Sequence, residues 1–529
     1  IGDIIDTIHV YANVVKNSPT ITWNTTDTIR SSAEWETKKT AISSSGDPIL
    51  YELTAGNLPE EFAYLNDAGK MILLRGGTVT ARAYTLETTS SNAVSLSRDF
   101  FIIVDPLFQD FDNDGNWLND NNWNIGRIPW TTDSATIAAN KHVSLDTVII
   151  TEGLSFESGG SIHITSTGGL TVGAQGIQGA ATDGSSIVID NLKTGAGFLR
   201  ISPEAPEDKK YPYFTMNFTT RAFNEGVPRD ETWQYMGAPG NQATFNNLDQ
   251  TLIYHWDETK GWTPYTVNGS LPTWKGYALT QSIQPNQTYQ ITAQAIQGTK
   301  TIDLTYTSSG MKGDNLFVNS FTAPIDITKI DSTTDVTGDW KYKTFYFFNT
   351  GSWNDWQGTN PHHTHDDASS AGHYYAVPIL LAPDLEGSQT IVPPMQGVYV
   401  HTDNADVSIK LDYTKHVWNG SAGNLPMRAP QKQSPDFQRV RIQVSSDNSG
   451  ADRMYIIQEP STTRDYDNGY DAPNQLAEGI ANIYTNEHFG KMEVSCANNI
   501  DSIYIGFQAG IDSLYTLSYR SIIGPSIYL

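Results

Sequence analysis

The sequence predicts an all-β, multi-domain chain: β-sandwich modules arranged around a central, Gly/Ser-rich stacked β region. Three observations predict it. Between residues 140 and 202, apolar residues recur two apart in short pairs: Val143/Leu145, Val148/Ile150, Leu154/Phe156, Ile162/Ile164, Leu170/Val172 and Ile187/Ile189. A spacing of two puts both members of a pair on one face of a strand. Helix-favouring runs are nearly absent, and Thr, Ser, Gly, Asn, Tyr, Val and Ile dominate, as short strands joined by turns require. The 529 residues are 38% hydrophobic and 11% aromatic, with 13 Trp and 26 Tyr. That supplies cores for about three or four domains and excludes wholesale disorder.

The elements follow in chain order. Residues 1–107 alternate as a small sandwich, clearest at 71–83 (MILLRGGTVTARA) and in the closing strand 97–104 (SRDFFIIV). Residues 108–203 form an Asp/Asn/Trp-rich junction and then the stacked region. There Leu154, Ile162 and Leu170 step by eight residues each time. Strands this short, broken this often by glycine, suit a short β-solenoid whose rungs share one narrow core. A run of hairpins in a sandwich is the alternative. Residues 204–430 alternate aromatic strands with loops, a sandwich or jelly-roll-like region. Residues 431–529 close the chain as a C-terminal β-sandwich, with clean alternation at 438–444 (QRVRIQV).

Charge narrows the partners. The net charge is −25, so the chain repels nucleic acid and anionic membrane surfaces. No apolar run reaches the length of a membrane span. The single cysteine, Cys496, forms no internal disulfide and lies in a strand-like run, where a core position is expected. A first residue Ile1, with no initiator Met, reads as a mature chain or a fragment.

Several motifs carry a family resemblance. The 71–104 segment resembles the immunoglobulin-like (Ig-like) modules of bacterial surface proteins, in the G-x-x-x-x-x-A pattern and the apolar exit strand. Gly115-Asn116-Trp117, Asn122-Trp123, Pro129 and the run from Asp133 to Ile137 resemble the "GNW…NW…P…D…I" openings of Bacteroidota surface proteins. The segment 313–326 (GDNLFVNSFTAPID) resembles their G-W-N-L-I-G-N-P-Y-x-x-P-I-D signature, with Asp314 in place of Trp and Ser320 in place of Pro. The segment 391–400 (IVPPMQGVYV) resembles their I-P-P-x-Q-x-F-x-V strand, with weaker echoes at 233–239 (WQYMGAP) and 274–279 (WKGYAL). Asp465-Tyr466-Asp467-Asn468-Gly469-Tyr470-Asp471-Ala472 resembles the F-D-x-G-Y-D-A motif ahead of the sorting domain in type IX secretion cargo. The resemblance covers scattered parts of residues 110–529. It implies an extracellular protein of the bacterial cell surface, S-layer-like or adhesin-like, exported by the type IX machinery.

Asp110, Asp112 and Asp114 stand in a D-x-D-x-D-G loop with Asp120 close by, a set of hard oxygen ligands suited to calcium. Position twelve of that loop is Asn121 rather than Glu, so an EF-hand is excluded. The loop 361–367 gathers His362, His363 and His365 beside Asp366 and Asp367, but no H-E-x-x-H helix is present. Asp followed by Ser or Thr and a further small or apolar residue occurs seven times, at Thr7, Thr28, Ser134, Thr147, Ser332, Ser502 and Ser513. Composition alone gives about three such matches. The resemblance implies O-glycosylation on these hydroxyls. The alternative is that Asp-Ser/Thr starts strands because both suit turns.

No G-x-S-x-G elbow, P-loop or dinucleotide glycine pattern is present. The expectation is a non-enzymatic structural or adhesive surface protein, with calcium as its one candidate cofactor, that associates with copies of itself or with other surface proteins. The competing class is a secreted polysaccharide-binding or polysaccharide-degrading protein, whose glycan ligands would stack on exposed rings such as Trp256, Trp262, Trp353 and Trp356.

Overall fold

The computed structural model describes residues 15–54, 62–104, 107–109, 115–192, 195–223, 233–268, 270–350, 372–382, 385, 389–418, 438–447 and 450–522. Strands make up 47% of it and helix 5%, divided among many small sheets, which is the multi-domain all-β architecture expected. No helix among the described residues is long and apolar enough to cross a membrane.

The first module is built on a four-stranded sheet. Gly77–Tyr84 lies between Leu50–Thr54 and Ser95–Ile102, and Thr28–Ile29 adds in parallel at the edge. Alternate residues of Gly77–Tyr84 are buried, as the pleat demands. One short helix, Ser32–Lys38, departs from the all-strand pattern. The Ser31 hydroxyl accepts the Glu34 N–H (3.2 Å) and the Glu34 carboxylate accepts the Arg30 N–H (2.7 Å), a reciprocal cap that starts the helix. The helix buries Trp35 edge-on against Tyr51 and Phe100.

The central region is a stacked coil. On one wall, Leu107–Phe108, Ser134–Ile137, Val148–Phe156, Gly169–Gln178 and Phe198–Ile201 pair in that order, all in parallel. On the other, His142–Leu145, Ser161–Ile164, Ile187–Leu192 and Tyr213–Thr219 do the same. A chain of hairpins would have given antiparallel neighbours, so the parallel pairing decides for the solenoid. The second wall continues past residue 203, through antiparallel strands Thr288–Gln294 and Asn241–Asn246.

Equivalent apolar residues stack into rows. Leu145, Ile164, Ile189, Met216 and Ile291 are successive partners across the second wall, and all five are buried. Across the first wall, Ile149, Leu170 and Leu199 align in the same way. Both walls contribute to one core. An Ile189→Ala substitution, in the middle of its row, is expected to cost roughly 2–5 kcal/mol, because the rungs on both sides prevent collapse of the cavity. Val188→Ala, on the half-exposed outer face, is expected to cost under about 1 kcal/mol. Urea unfolding of the two variants checks the contrast.

Beyond the solenoid, three further sheets form the next core. The largest has the order Asp314–Val318, Gly397–His401, Thr344–Phe348, Tyr374–Pro378. The chain ends in a sheet ordered Ile505–Gln508, Asn482–Glu487, Gly490–Ala497, Ala451–Gln458, Arg439–Ser445, Thr516–Ile522. Cys496 is buried there, as its setting suggested.

Candidate functional site

Three joints between modules hold bonded side chains of the described residues. The first joint lies between the N-terminal module and the solenoid. Asp133 is fully buried at its centre. One carboxylate oxygen accepts the Gly76 N–H (2.9 Å), and the other accepts the Trp130 N–H (2.8 Å) and the Arg127 guanidinium (2.7 Å). Arg127 also donates to the Leu74 carbonyl (2.7 Å), and the Thr132 hydroxyl donates to the Gly76 carbonyl (2.6 Å). Gly76 must be glycine, since a Cβ there would lie 2.1 Å from the Thr132 oxygen. Arg75 sits between the rings of Phe62 (4.6 Å) and Trp130 (5.1 Å) and covers this joint.

The second joint ties the solenoid's last rung to the following sheets. Leu199 and Thr322 exchange two bonds: the Leu199 N–H donates to the Thr322 carbonyl (2.9 Å) and the Thr322 hydroxyl donates to the Leu199 carbonyl (2.7 Å). The Ile201 N–H donates to the Tyr413 hydroxyl (3.0 Å), whose own ionisation burial pushes up to about 12. Asn191 donates to the Pro394 carbonyl (2.9 Å).

The scattered surface-protein motifs converge beside this joint. Asp314–Val318 pairs with Gly397–His401, and Ile325–Asp326 pairs with Ile391–Val392, so the two clearest motif segments are neighbours. Met236 bridges to Gln396 and Lys275 to Phe317, which brings in both weaker echoes. Asn319 holds the turn between the motif strands, donating to Ala323 and Val392 carbonyls and accepting the Phe321 N–H. Ser320 donates to the Ala238 carbonyl (2.7 Å). These motifs mainly position backbone, and where their strands pair the Asp314 carboxylate meets the Tyr399 hydroxyl and the His401 ring, each at 2.6 Å.

The third joint is made by the Asp465–Ala472 motif. Its Asn468 side chain accepts the Lys343 N–H (3.0 Å) and donates to the Trp340 carbonyl (2.8 Å), while the Leu380 N–H donates to the Gly469 carbonyl (3.0 Å). Asp471 is buried and accepts the N–H groups of Cys496 and Asp467, both at 2.7 Å. Burial pushes its carboxyl up to about 7, against those two bonds.

The sequence-predicted sites are dispersed. Asp110, Asp112 and Asp114 lie outside the described residues. Asp120 is exposed and accepts the Ile128 N–H (2.9 Å). No group of three metal-ligating side chains gathers among the described residues. The 361–367 loop and Trp353 and Trp356 also lie outside them. Trp256 and Trp262 pack edge-on (5.0 Å), and the Trp256 indole donates to the Asp314 carbonyl (2.6 Å), so these two rings serve an aromatic cluster that includes Tyr235.

Of the seven Asp-Ser/Thr hydroxyls, Thr7 lies outside the described residues. Ser134 has its hydroxyl buried. Thr28 and Thr147 are half-buried, at a strand edge and a solenoid corner. Ser332 is half-exposed in a turn, and Ser502 and Ser513 are exposed. In that turn Asp331 accepts the Thr333 hydroxyl (2.6 Å) and N–H (2.7 Å), which hold its carboxyl down at about 2.

The chain is 25% identical over 449 aligned residues to the minor fimbrium subunit Mfa5 of Porphyromonas gingivalis, a match that covers 77% of this chain and 35% of that protein. It therefore spans about a third of that relative's length. No protein-family model matches the chain. No solved structure matches it. The likeness supports an extracellular, cell-surface location and agrees with the Bacteroidota-type motifs read from the sequence.

Proposed function

We propose that this chain is a non-enzymatic structural or adhesive part of a bacterial surface appendage or layer, assembled with copies of itself or with other surface subunits. The observation that carries the reading is the serial welding of its modules. At each of the three joints, a buried or half-buried side chain bonds directly to the neighbouring module's backbone. Such joints transmit load from one module to the next. The likeness to a fimbrium subunit supports the same reading. Assembly is supported by apolar side chains left in water on the last sheet. Leu517 and Tyr519 are the cross-strand partners of the buried Val444 and Ile442, yet stay about half exposed.

Export by the type IX machinery and O-glycosylation remain part of the proposal, supported by the Asp465–Ala472 motif and by exposed Ser502 and Ser513. The test is localisation in the native bacterium. Antibody labelling of intact cells and fractionation of sheared appendages are expected to place the chain outside the cell, within a high-molecular-weight assembly. Recovery only as a free monomer in the cell interior would overturn the reading. Intact mass of the cell-derived protein reads the glycan separately.

A further inference from the structure

The third joint contains charge that a purely mechanical contact does not need. Glu493, on Gly490–Ala497, is 2% exposed. Its carboxyl accepts the Ala376 N–H (2.9 Å) from Tyr374–Pro378, the edge strand of the sheet it sits on. Around it, Ala451–Gln458 contributes Asp452 and Arg453, both buried. The Asp452 carboxylate accepts the N–H groups of Ile483 and Arg453, each at 2.8 Å, and lies 3.8 Å from His373. The Arg453 guanidinium lies over the rings of Tyr375 (5.7 Å) and Tyr455 (5.6 Å). Tyr346, from Thr344–Phe348, is buried and donates to the Pro473 carbonyl (3.1 Å). Arg221 places a further positive charge near Tyr375.

We propose that Glu493 is a pH-operated latch between the C-terminal module and the sheet beneath it, gripping in acid and loosening in mildly alkaline surroundings. A carboxyl that must leave water to dock does so most readily with its proton on. Ala376 requires only an acceptor, which the protonated carboxyl supplies as well as the ionised one. The Arg453 guanidinium is shared by two buried carboxyls, Glu493 and Asp452, and Asp452 also faces His373; ionising Glu493 therefore puts a second negative charge beside Asp452 out of water.

The sign follows from linkage. Burial, reinforced by the Asp452 charge, pushes Glu493 from an ordinary 4.5 up to about 8, against the Ala376 bond and Arg453. Undocked and wet, it titrates in the usual range. The docked state therefore holds a proton that the undocked state releases, so docking is strongest below about 4.5 and is lost as pH rises through 8. Burial raises Asp452 as well, which acts in the same direction. Arg453 stays charged throughout and sets no pH dependence.

The test is hydrogen exchange of the Ala376 amide in the full chain, corrected for intrinsic rate. Between pH 6 and pH 8.5 the opening constant is expected to rise by about 10–100-fold. In Glu493→Gln, which keeps the shape and the acceptor but cannot ionise, the rise is expected to vanish and protection at pH 8.5 to exceed that of the unmodified chain. An equal rise in both proteins overturns the latch. Should the variant not fold, infrared spectroscopy of the unmodified chain carrying ¹³C-labelled glutamate decides. A protonated, labelled carboxyl band that persists at pH 6.5 supports the latch, and its absence there overturns it. The Asp471 band is unlabelled and does not interfere.

Discussion

Asp133→Ala is expected to break the protein's first joint and cost about 3–5 kcal/mol. Three donors converge on this one fully buried carboxylate: the Gly76 and Trp130 N–H groups and the Arg127 guanidinium. Alanine leaves all three without their acceptor. The two amides then bear the desolvation of unmade bonds, and Arg127, only 25% exposed, loses its counter-charge. Asparagine is expected to recover little. Its NH₂ group must face a donor on one side, because both carboxylate oxygens are already accepting. Calorimetry reads the outcome. The substituted chain is expected to lose the coupling of its first module, which then melts at lower temperature and ahead of the rest. A melting profile identical to that of the unsubstituted chain would show that Asp133 does not hold the joint. The same reasoning separates Asp133 from the pattern that drew attention to Ser134: the aspartate of that tripeptide is a clamp.

What the sequence disclosed depended on the range of the interactions. The period-two apolar pairs of residues 140–202 were legible because a strand's inner face repeats locally. The eight-residue step from Leu154 to Ile162 to Leu170 was legible too, but it marks crossings between walls and not the coil's period, which is 21 residues from Ile149 to Leu170 and 23 from Leu154 to Ile177. Leu154 lies on one wall, Ile162 on the other, and Leu170 back on the first. The helix Ser32–Lys38 escaped notice because two turns with one buried face, Trp35, leave no periodic signal. The joints were illegible for a different reason. Leu199 meets Thr322 through two bonds and Ile201 meets Tyr413 through one, across more than a hundred residues. No local pattern records such a partner. The Asp-Ser/Thr tripeptide pooled unlike jobs: Asp27 pairs with Arg98, Asp133 clamps a joint and Asp331 closes a turn. Spacing alone could not tell them apart.

Trp123→Ala is expected to cost about 3–5 kcal/mol and to expose the solenoid's first rung. A stack of parallel rungs has two open ends, and each must be covered if the core is to stay dry. At the N-terminal end the cover is aromatic. Trp123 is 1% exposed and stands edge-on to Trp117 (4.9 Å) and to Phe108 (5.1 Å). Its indole N–H donates to the Trp117 carbonyl (2.9 Å), which fixes the loop's path. That loop is anchored on the second wall, where Trp117 donates its N–H to the Ser144 carbonyl (3.1 Å) and Ser144 returns one to the Gly115 carbonyl (2.6 Å). Removing the indole opens a cavity between the cap and the buried Ile137, Val143 and Leu145. Two consequences are separable. Stability falls by the lost packing, read as a lower urea midpoint. The first-rung strands also become available to other chains, read as concentration-dependent association in sedimentation. Trp123→Phe keeps a ring but not the indole bond, and is expected to lose about 1 kcal/mol from that bond, with any further loss from the smaller ring, and to remain unassociated. If Trp123→Ala unfolded at the midpoint of the unsubstituted chain, the aromatic segment would be an ornament on the solenoid, and the end of the core would have to be closed by something else.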